Sequence, residues 1–387
     1  MFSLLPSSLG LLLSSLLWNT PTSNSELHFQ LRHSHAITNT SRIVLSDEPH
    51  TLMTETFSID AIPVLTHRPP SFSAFSNARL RSSQRLESEA LTWSPIQVQG
   101  PDVQNRKVLQ LLANMTANAY ALPAAGKRWY EIGSNWNGSY PYGWEPDADG
   151  FRGHVFVSTD ESTVVISIKG TTVPWIGDGP TARKDKLNDN LLFSCCCARV
   201  GPTWSSVCGC YKGGHRCDMG CVERSLAEES LFYLTGVAKN IWLIGHSLGG
   251  ALASLIGVTF GAPVVTFQAP GEAMAARRLH LPSPPSTHHV THVINNADPI
   301  AMGVCNGVTS SCASAGYAME SRCHLGKTIL YNTVERLGWS TSVTNHPIKV
   351  VIEKVLSDEG WEVPEAVEED EDCEATECLA WKFVEGN

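Results

Sequence analysis

The stretch Ile241-Trp242-Leu243-Ile244-Gly245-His246-Ser247-Leu248-Gly249-Gly250-Ala251-Leu252-Ala253-Ser254-Leu255 decides how the rest of the chain is read. A short apolar run enters Gly-x-Ser-x-Gly, and small and apolar residues follow at helical spacing, so a buried strand turns sharply into a buried helix with Ser247 on the turn. This is a nucleophile elbow. Glycine is needed at 245 and 249 because the turn brings strand and helix backbones together and a Cβ would collide. A bare Gly-x-Ser-x-Gly arises by chance in roughly one chain in ten of this size. The strand before it and the helix after it remove most of that chance, and Ser247 is the candidate nucleophile.

Upstream, His154 to Ser158 and Thr163 to Lys169 read as two strands, the second nearly all β-branched. It stops at Gly170-Thr171, where hydrolases of this pattern place half of an oxyanion hole. Thr171 is the candidate there, with the N–H of Leu248 as the second donor. Val173 to Ser194, with Pro174, Trp175 and Ile176, reads equally well as an apolar flap over the site or as a surface loop. Tyr130 to Trp144 reads as a packed surface loop.

Downstream come a strand over Pro263 to Phe267, a helix over Glu272 to Leu279 and a strand over Val290 to Asn295. That alternation predicts an α/β fold, a mostly parallel sheet covered by helices on both faces, with a cysteine-rich insertion over 195–221. Catalytic groups in such sheets lie on loops at the carboxyl ends of strands. Asp298 follows the last of these strands at once, and it is the only aspartate between Ser247 and His346; Glu272, Glu320 and Glu335 are poorer candidates in helices or late loops. An α/β-hydrolase triad runs Ser, Asp or Glu, then His. Beyond Asp298 only His324 and His346 remain. His346 is favoured because Pro347 and the helical spacing of Ile348, Val351, Ile352 and Val355 put it at a loop-to-helix junction, whereas His324 sits beside Cys323. His246 reads as a packing and positioning residue. The chemistry needs no cofactor and no metal.

The whole chain has 387 residues, 42% hydrophobic, enough for one large core. Its formal charge is −10, but Glu365 to Glu377 supplies eight acidic residues without a Lys or Arg, so the remainder is close to neutral. That argues against a nucleic-acid partner and leaves a neutral or amphipathic ligand. Twelve cysteines are present, seven of them between Cys195 and Cys221. Three adjacent cysteines and a Cys-x-Cys step do not make the paired spacing of a zinc site, so disulfides are expected. Sequons at Asn39, Asn114 and Asn137 agree with a glycan-adding, oxidising lumen.

Residues 1–25 carry no charge and Leu4 to Trp18 is leucine-rich, which reads as a signal peptide or a signal-anchor. Residues 26–100 are expected to form a lumenal arm, with a Ser/Pro/Arg-rich linker from Thr66 to Pro95 and regular structure only after Pro101. An amphipathic helix is expected from Val108 to about Leu122. The domain runs over 101–361, and 362–387 is an acidic tail.

Gly245 to Ala253 resembles the elbow of the fungal class 3 lipases. A longer pattern, Cys195-Cys196-Cys197 with Pro202-Thr203-Trp204, the cysteines to Cys221, Phe260-Gly261-Ala262-Pro263, Ala269-Pro270-Gly271-Glu272 and Ala297-Asp298-Pro299-Ile300-Ala301-Met302-Gly303, resembles the autophagy-related vacuolar lipases of fungi. The likeness runs from about Arg106 to Trp361. It implies an α/β-hydrolase and a single-pass, type II membrane glycoprotein of endosomes and multivesicular bodies. Its lumenal domain would reach the vacuole and break down autophagic-body membranes as a lipase or phospholipase, on phospholipid or neutral lipid. Ser247, Asp298 and His346 match the triad positions of that family. The residues also allow a soluble esterase or acyltransferase with the same triad, or an inactive cysteine-rich membrane glycoprotein.

Overall fold

The computed structural model describes residues 26–30, 33–37, 43–47, 57–85, 90–121, 129–130, 151–158, 164–171, 182–198, 206–226, 241–370 and 372–384. Residues 1–25, expected to be a signal peptide or signal-anchor, Asn39 and Asn137, the Trp175 stretch and most of 130–144 lie outside them. No described helix is long and apolar enough to cross a membrane.

The strands, in chain order, are β1 (Glu26–Gln30), β2 (His33–Ile37), β3 (Ile43–Asp47), β4 (Phe57–Arg68), β5 (Ser94–Pro101), β6 (Gly153–Ser158), β7 (Val164–Ile168), β8 (Arg216–Asp218), β9 (Ile241–His246), β10 (Val264–Phe267), β11 (Val290–Asn295), β12 (Lys327–Tyr331), β13 (Val367–Glu368) and β14 (Lys382–Val384). Ten of them form one sheet in the order β13-β12-β11-β10-β9-β7-β6-β1-β4-β5. Its centre, β7-β9-β10-β11-β12, is parallel. Antiparallel strands extend both edges, β13 on one side and β6, β1, β4 and β5 on the other.

The central strand β9 is buried at every residue because helices cover both faces, and its side chains alternate between two cores. Ile241 and Leu243 join one cluster with Leu248, Leu252 and Leu255; Trp242 and Ile244 join the other with Leu109, Leu112 and Val355. The indole of Trp242 donates to the main-chain oxygen of Gln99 at 2.6 Å, which satisfies its one polar atom inside the core.

Nine helices are named here: α1 (Phe72–Arg85), α2 (Arg106–Asn118), α3 (Ala182–Phe193), α4 (Met219–Leu226), α5 (Leu248–Phe260), α6 (Ala273–Arg278), α7 (Ser311–Ser314), α8 (Thr333–Leu337) and α9 (Ile348–Val350), the last running on as a π-helical turn over Val351–Leu356. Helix α2 is capped by Asn105, whose side chain accepts from the N–H of Lys107, and it ends at Asn118, short of Leu122. Helix α5, which follows the elbow, is buried from Leu248 to Thr259, as its all-apolar composition demands. Together these features make an α/β-hydrolase sheet with its nucleophile strand at the centre.

Three expectations are corrected. The segment Thr66 to Pro95 is not a linker: β4 runs to Arg68, and α1 buries Phe75, Ala78 and Ser82 on one helical face. Ser73, Arg81 and Ser83 of the same helix are exposed. The described half of the stretch read as flap or loop, Ala182–Phe193, is helix α3, with Leu191, Leu192 and Phe193 in the core. The acidic tail is stitched to the body: β13 pairs with β12, β14 pairs with β8, and Cys373 and Cys378 are both cross-linked.

All twelve cysteines are paired, as Cys195–Cys378, Cys196–Cys217, Cys197–Cys208, Cys210–Cys221, Cys305–Cys312 and Cys323–Cys373. The three adjacent cysteines thus reach three different segments, and the disulfide reading of the insertion holds. Arg278 seats the insertion on the body by donating to the main-chain oxygens of Ser194 and Cys195 at 2.7 and 3.0 Å. Asn114 sits on α2 with Oδ1 buried, and Thr116 of the same sequon is wholly buried. Asn114 itself is half-buried.

Candidate active site

Strands β7, β9 and β11 run parallel, so their carboxyl ends deliver Thr171, Ser247 and Asp298 to one rim of the sheet. Ser247 takes φ 57° and ψ −132° between β9 and α5. A left-handed φ at a residue with a side chain costs about 1–3 kcal/mol and persists only where surrounding structure enforces it. The enforcement is close packing. A Cβ on Gly245 would stand 2.3 Å from the oxygen of Gly249, and one on Gly249 would stand 2.3 Å from the oxygen of Ile168. Both elbow glycines are therefore demanded by backbone approach, as the sequence predicts.

The structure brings together the three residues expected to act as a triad. His346 Nε2 lies 2.9 Å from Ser247 Oγ, and His346 Nδ1 lies 2.7 Å from Asp298 Oδ2. Asp298 Oδ1 also accepts from the N–H of Ile300 at 3.0 Å, which fixes the carboxylate plane. The aspartate is wholly buried, while Ser247 and His346 keep 6% of their surface. His346 closes the 3-10 turn Val343–Asn345, and Pro347 begins the turn into α9, as expected from the junction. His324 faces elsewhere, its Nε2 on the oxygen of Ala269 at 3.0 Å and its Nδ1 toward Glu369.

Leu248 opens α5, so its N–H is one of the first-turn donors that no helical carbonyl can use. Thr171 is buried at the end of β7, and its hydroxyl donates to Asp189 Oδ2 at 2.5 Å. Burial pushes the Asp189 carboxyl up to about 8, against the opposing effect of the Thr171 hydrogen bond. Nearby, Lys169 pairs with the buried Asp185 at 3.4 Å and also donates to the oxygen of Gly170.

Two residues at this rim escaped sequence reasoning. Tyr120, just past α2, takes the N–H of Gly170 at 3.1 Å and touches His246 Nδ1 at 2.7 Å. His246 Nε2 in turn lies 2.8 Å from the main-chain oxygen of His346. Burial and the neighbouring His346 hold the His246 imidazole well below its ordinary range. A neutral ring with Nε2–H facing the carbonyl must accept at Nδ1, so Tyr120 donates there and accepts from Gly170. Asp189 is the other unforeseen residue; it lay in the stretch read as flap or loop.

No family model matches the chain. Among curated proteins it is similar to the one named "Putative lipase ATG15" of Cryptococcus neoformans var. neoformans, 53% identical over 282 residues, covering 69% of this chain and 54% of that protein. The protein of the same name from Saccharomyces cerevisiae is 44% identical over 319 residues, covering 77% and 60%. That from Candida glabrata is 40% identical over 347 residues, covering 84% and 68%. The chain spans about half the length of the Cryptococcus relatives it matches. Among solved structures, Lip2 lipase of Yarrowia lipolytica aligns with a TM-score of 0.29 at 16% identity, over 58% of this chain and 78% of that one. With 40% identity across 68% of the length of the Candida relative, this chain belongs to the ATG15 lipase family.

Proposed function

We propose that this chain is a serine lipase or phospholipase that hydrolyses acyl esters of membrane lipids. The observation that carries the reading is the continuous line Ser247 Oγ, His346, Asp298, with both contacts under 3 Å, on a strained elbow. Ser247 Oγ attacks the ester carbonyl while His346 Nε2 takes its proton. Asp298 holds Nδ1–H and stabilises the imidazolium that forms. The tetrahedral oxyanion is met by the N–H groups of Thr171 and Leu248, a contribution of about 3–4 kcal/mol per donor in comparable sites. The imidazolium then protonates the leaving alcohol, and water, activated the same way, releases the fatty acid.

The names of the relatives support a lipid substrate. The setting we infer is an oxidising lumen on the secretory route to the vacuole, where the enzyme lyses autophagic bodies and multivesicular-body vesicles. Complete pairing of the cysteines and the uncharged, leucine-rich residues 1–25, read as a signal peptide or signal-anchor, support that setting. Its partner is then the membrane itself.

The deciding experiment measures fatty acid released from phospholipid vesicles and from triacylglycerol emulsions by purified wild type and Ser247→Ala, with a parallel labelling by an active-site phosphonate. Release and labelling should both vanish in the variant. Full release by Ser247→Ala would remove the assignment, and equal rates on monomeric and aggregated ester would favour a soluble esterase.

A further inference from the structure

Away from the elbow rim, three side chains with metal-binding atoms converge inside the fold. Glu272 directly precedes α6, His292 lies in the middle of β11, and His324 lies in the loop ahead of β12. One ligand atom from each falls within 4.8 Å of the others. Glu272 and His292 are completely buried, and His324 nearly so. We propose that Glu272, His292 and His324 hold a structural divalent cation of the zinc class. The proposal does not depend on the reaction of Ser247. The expectation that no metal is needed concerns that reaction and the cysteine cluster, and this site is separate from both.

Four observations support it. The first is an imbalance at Glu272. Its Oε1 receives Ser254 Oγ, the N–H of Leu325 at 3.2 Å and His292 Nε2 at 3.2 Å, while the equally buried Oε2 has no hydrogen-bond partner among the described residues. A dry carboxylate oxygen without a donor is costly, and a cation satisfies it.

The second is the outer support of the two rings. A ligating histidine is oriented by an oxygen partner on its other nitrogen. His292 Nδ1 has Thr266 Oγ1 at 2.8 Å, and His324 Nε2 has the oxygen of Ala269 at 3.0 Å. The ligand atoms would then be His292 Nε2 and His324 Nδ1, whose present partners, the oxygen of Leu325 at 2.8 Å and Glu369 Oε2 at 3.4 Å, an ion would displace.

The third is spacing. Ligands about 2.1 Å from a tetrahedral ion stand roughly 3.4 Å apart. The Glu272 carboxylate, through Oε1, and His292 Nε2 approach to 3.2 Å, close to that separation, with Oε2 the oxygen left for the ion.

The fourth is charge and access. His324 Nδ1 also faces Glu369 at 3.4 Å, so two carboxylates and two imidazoles share the region. Positive charge must balance them, as a divalent cation or as protons on the rings. Protons leave Glu272 Oε2 as it is; a cation does not. A cavity of about 330 Å³ reaches His324 and is lined with Glu368, Glu369, Asp370 and Glu374, an acidic approach for a cation. The other set of close metal-binding atoms among the described residues, Cys197, Cys208 and Cys210, is closed by disulfides.

Nitrogen and carboxylate donors select zinc-class ions over calcium or magnesium. Such an ion would tie β11, the start of α6 and the loop before β12 together. Through the Glu272 contact with Ser254 it would also brace α5, the helix that presents the elbow. Binding at His292 Nε2 requires the ring to give up its contact with the oxygen of Leu325 at 2.8 Å and to carry its proton on Nδ1, toward Thr266 Oγ1.

The test uses the complete, disulfide-bonded chain, stripped with a chelator, incubated with zinc chloride near neutral pH and freed of excess metal. Elemental analysis should give close to one zinc per chain. Cobalt loading should give visible absorption bands of a nitrogen–oxygen site that zinc abolishes. Both signals should be lost in His292→Gln and His324→Gln, and zinc should raise the Tm of wild type but not of either variant. Wild type that retains no zinc overturns the proposal whatever the variants do. Unchanged cobalt bands in both variants overturn it as well. If one variant does not fold, Glu272→Gln and the wild-type stoichiometry decide.

Discussion

His246 Nε2 donates to the main-chain oxygen of His346 at 2.8 Å, so the residue before the candidate nucleophile holds the backbone of the candidate base. The line continues through Tyr120 to the N–H of Gly170, next to Thr171. One buried hydroxyl thus couples the two halves of the proposed reaction centre. Tyr120→Phe keeps the ring and removes the coupling, leaving Gly170 N–H and His246 Nδ1 without partners. Each lost buried hydrogen bond is worth about 1–3 kcal/mol, so kcat should fall about tenfold or more with KM little changed. An unchanged kcat in steady-state assays would show that the line does not position the site.

Asp298→Asn tests the tautomer argument. The asparagine can keep the contact with Ile300 N–H but presents the wrong partner to His346 Nδ1. The expected result is a fall in kcat on the order of 10⁴ with Tm nearly preserved, as for aspartate-to-asparagine changes in comparable triads. A variant within tenfold of wild type would exclude Asp298 from the role.

Gly249→Ala probes the elbow itself. The added methyl would meet the oxygen of Ile168 and the carbonyl carbon of Lys169, both backbone atoms that cannot rotate away. Overpacking of this kind costs about 1–3 kcal/mol or more. Denaturant unfolding should show that loss, and full stability in the variant would contradict the close approach.

Asp189 gives a pH prediction. Its carboxyl, ordinarily near 3.8, is raised to about 8 by burial. The folded chain therefore keeps a proton that the unfolded chain has released. Its stabilising contribution is complete below the ordinary value and is lost as pH rises through about 8. Over that window wild type should lose stability relative to Asp189→Asn, followed by thermal melts across the pH range. Parallel curves would refute the assignment.

The bond between Cys195 and Cys378 spans 183 residues of sequence. Replacing both with serine should cost about 2–5 kcal/mol and free the β14–β8 pairing from its cross-link. Calorimetry under non-reducing conditions checks this, and an unchanged Tm would deny the tail any stabilising role.

Local chemistry made the elbow legible, since Gly245, Ser247 and Gly249 are dictated by a turn that involves few residues. Asp298 and His346 followed from chain order and from what a strand end and a Pro-led helix require. The segment from Phe57 to Pro101 did not, because its buried positions, such as Ala61, Thr66, Phe75 and Ala78, are diluted by serine, proline and arginine on the solvent side. Tyr120 and Asp189 were hidden for another reason. Tyr120 acts through partners 50 and 126 residues away and Asp189 through Thr171, 18 residues back, and nothing in the immediate neighbourhood of either marks it. Cysteine pairing is equally non-local: neighbours at 195, 196 and 197 end in three directions.

The cross-link from Cys195 to Cys378 also orders the biosynthesis of the protein. While the chain is emerging, Cys196 and Cys197 meet Cys217 and Cys208 within a few seconds of synthesis at ordinary elongation rates. Cys195 must wait for a partner made much later, beside two thiols that could take the wrong bond. Until Cys378 is made, Cys195 has no native partner, so this bond can form only after nearly the whole chain has been synthesised.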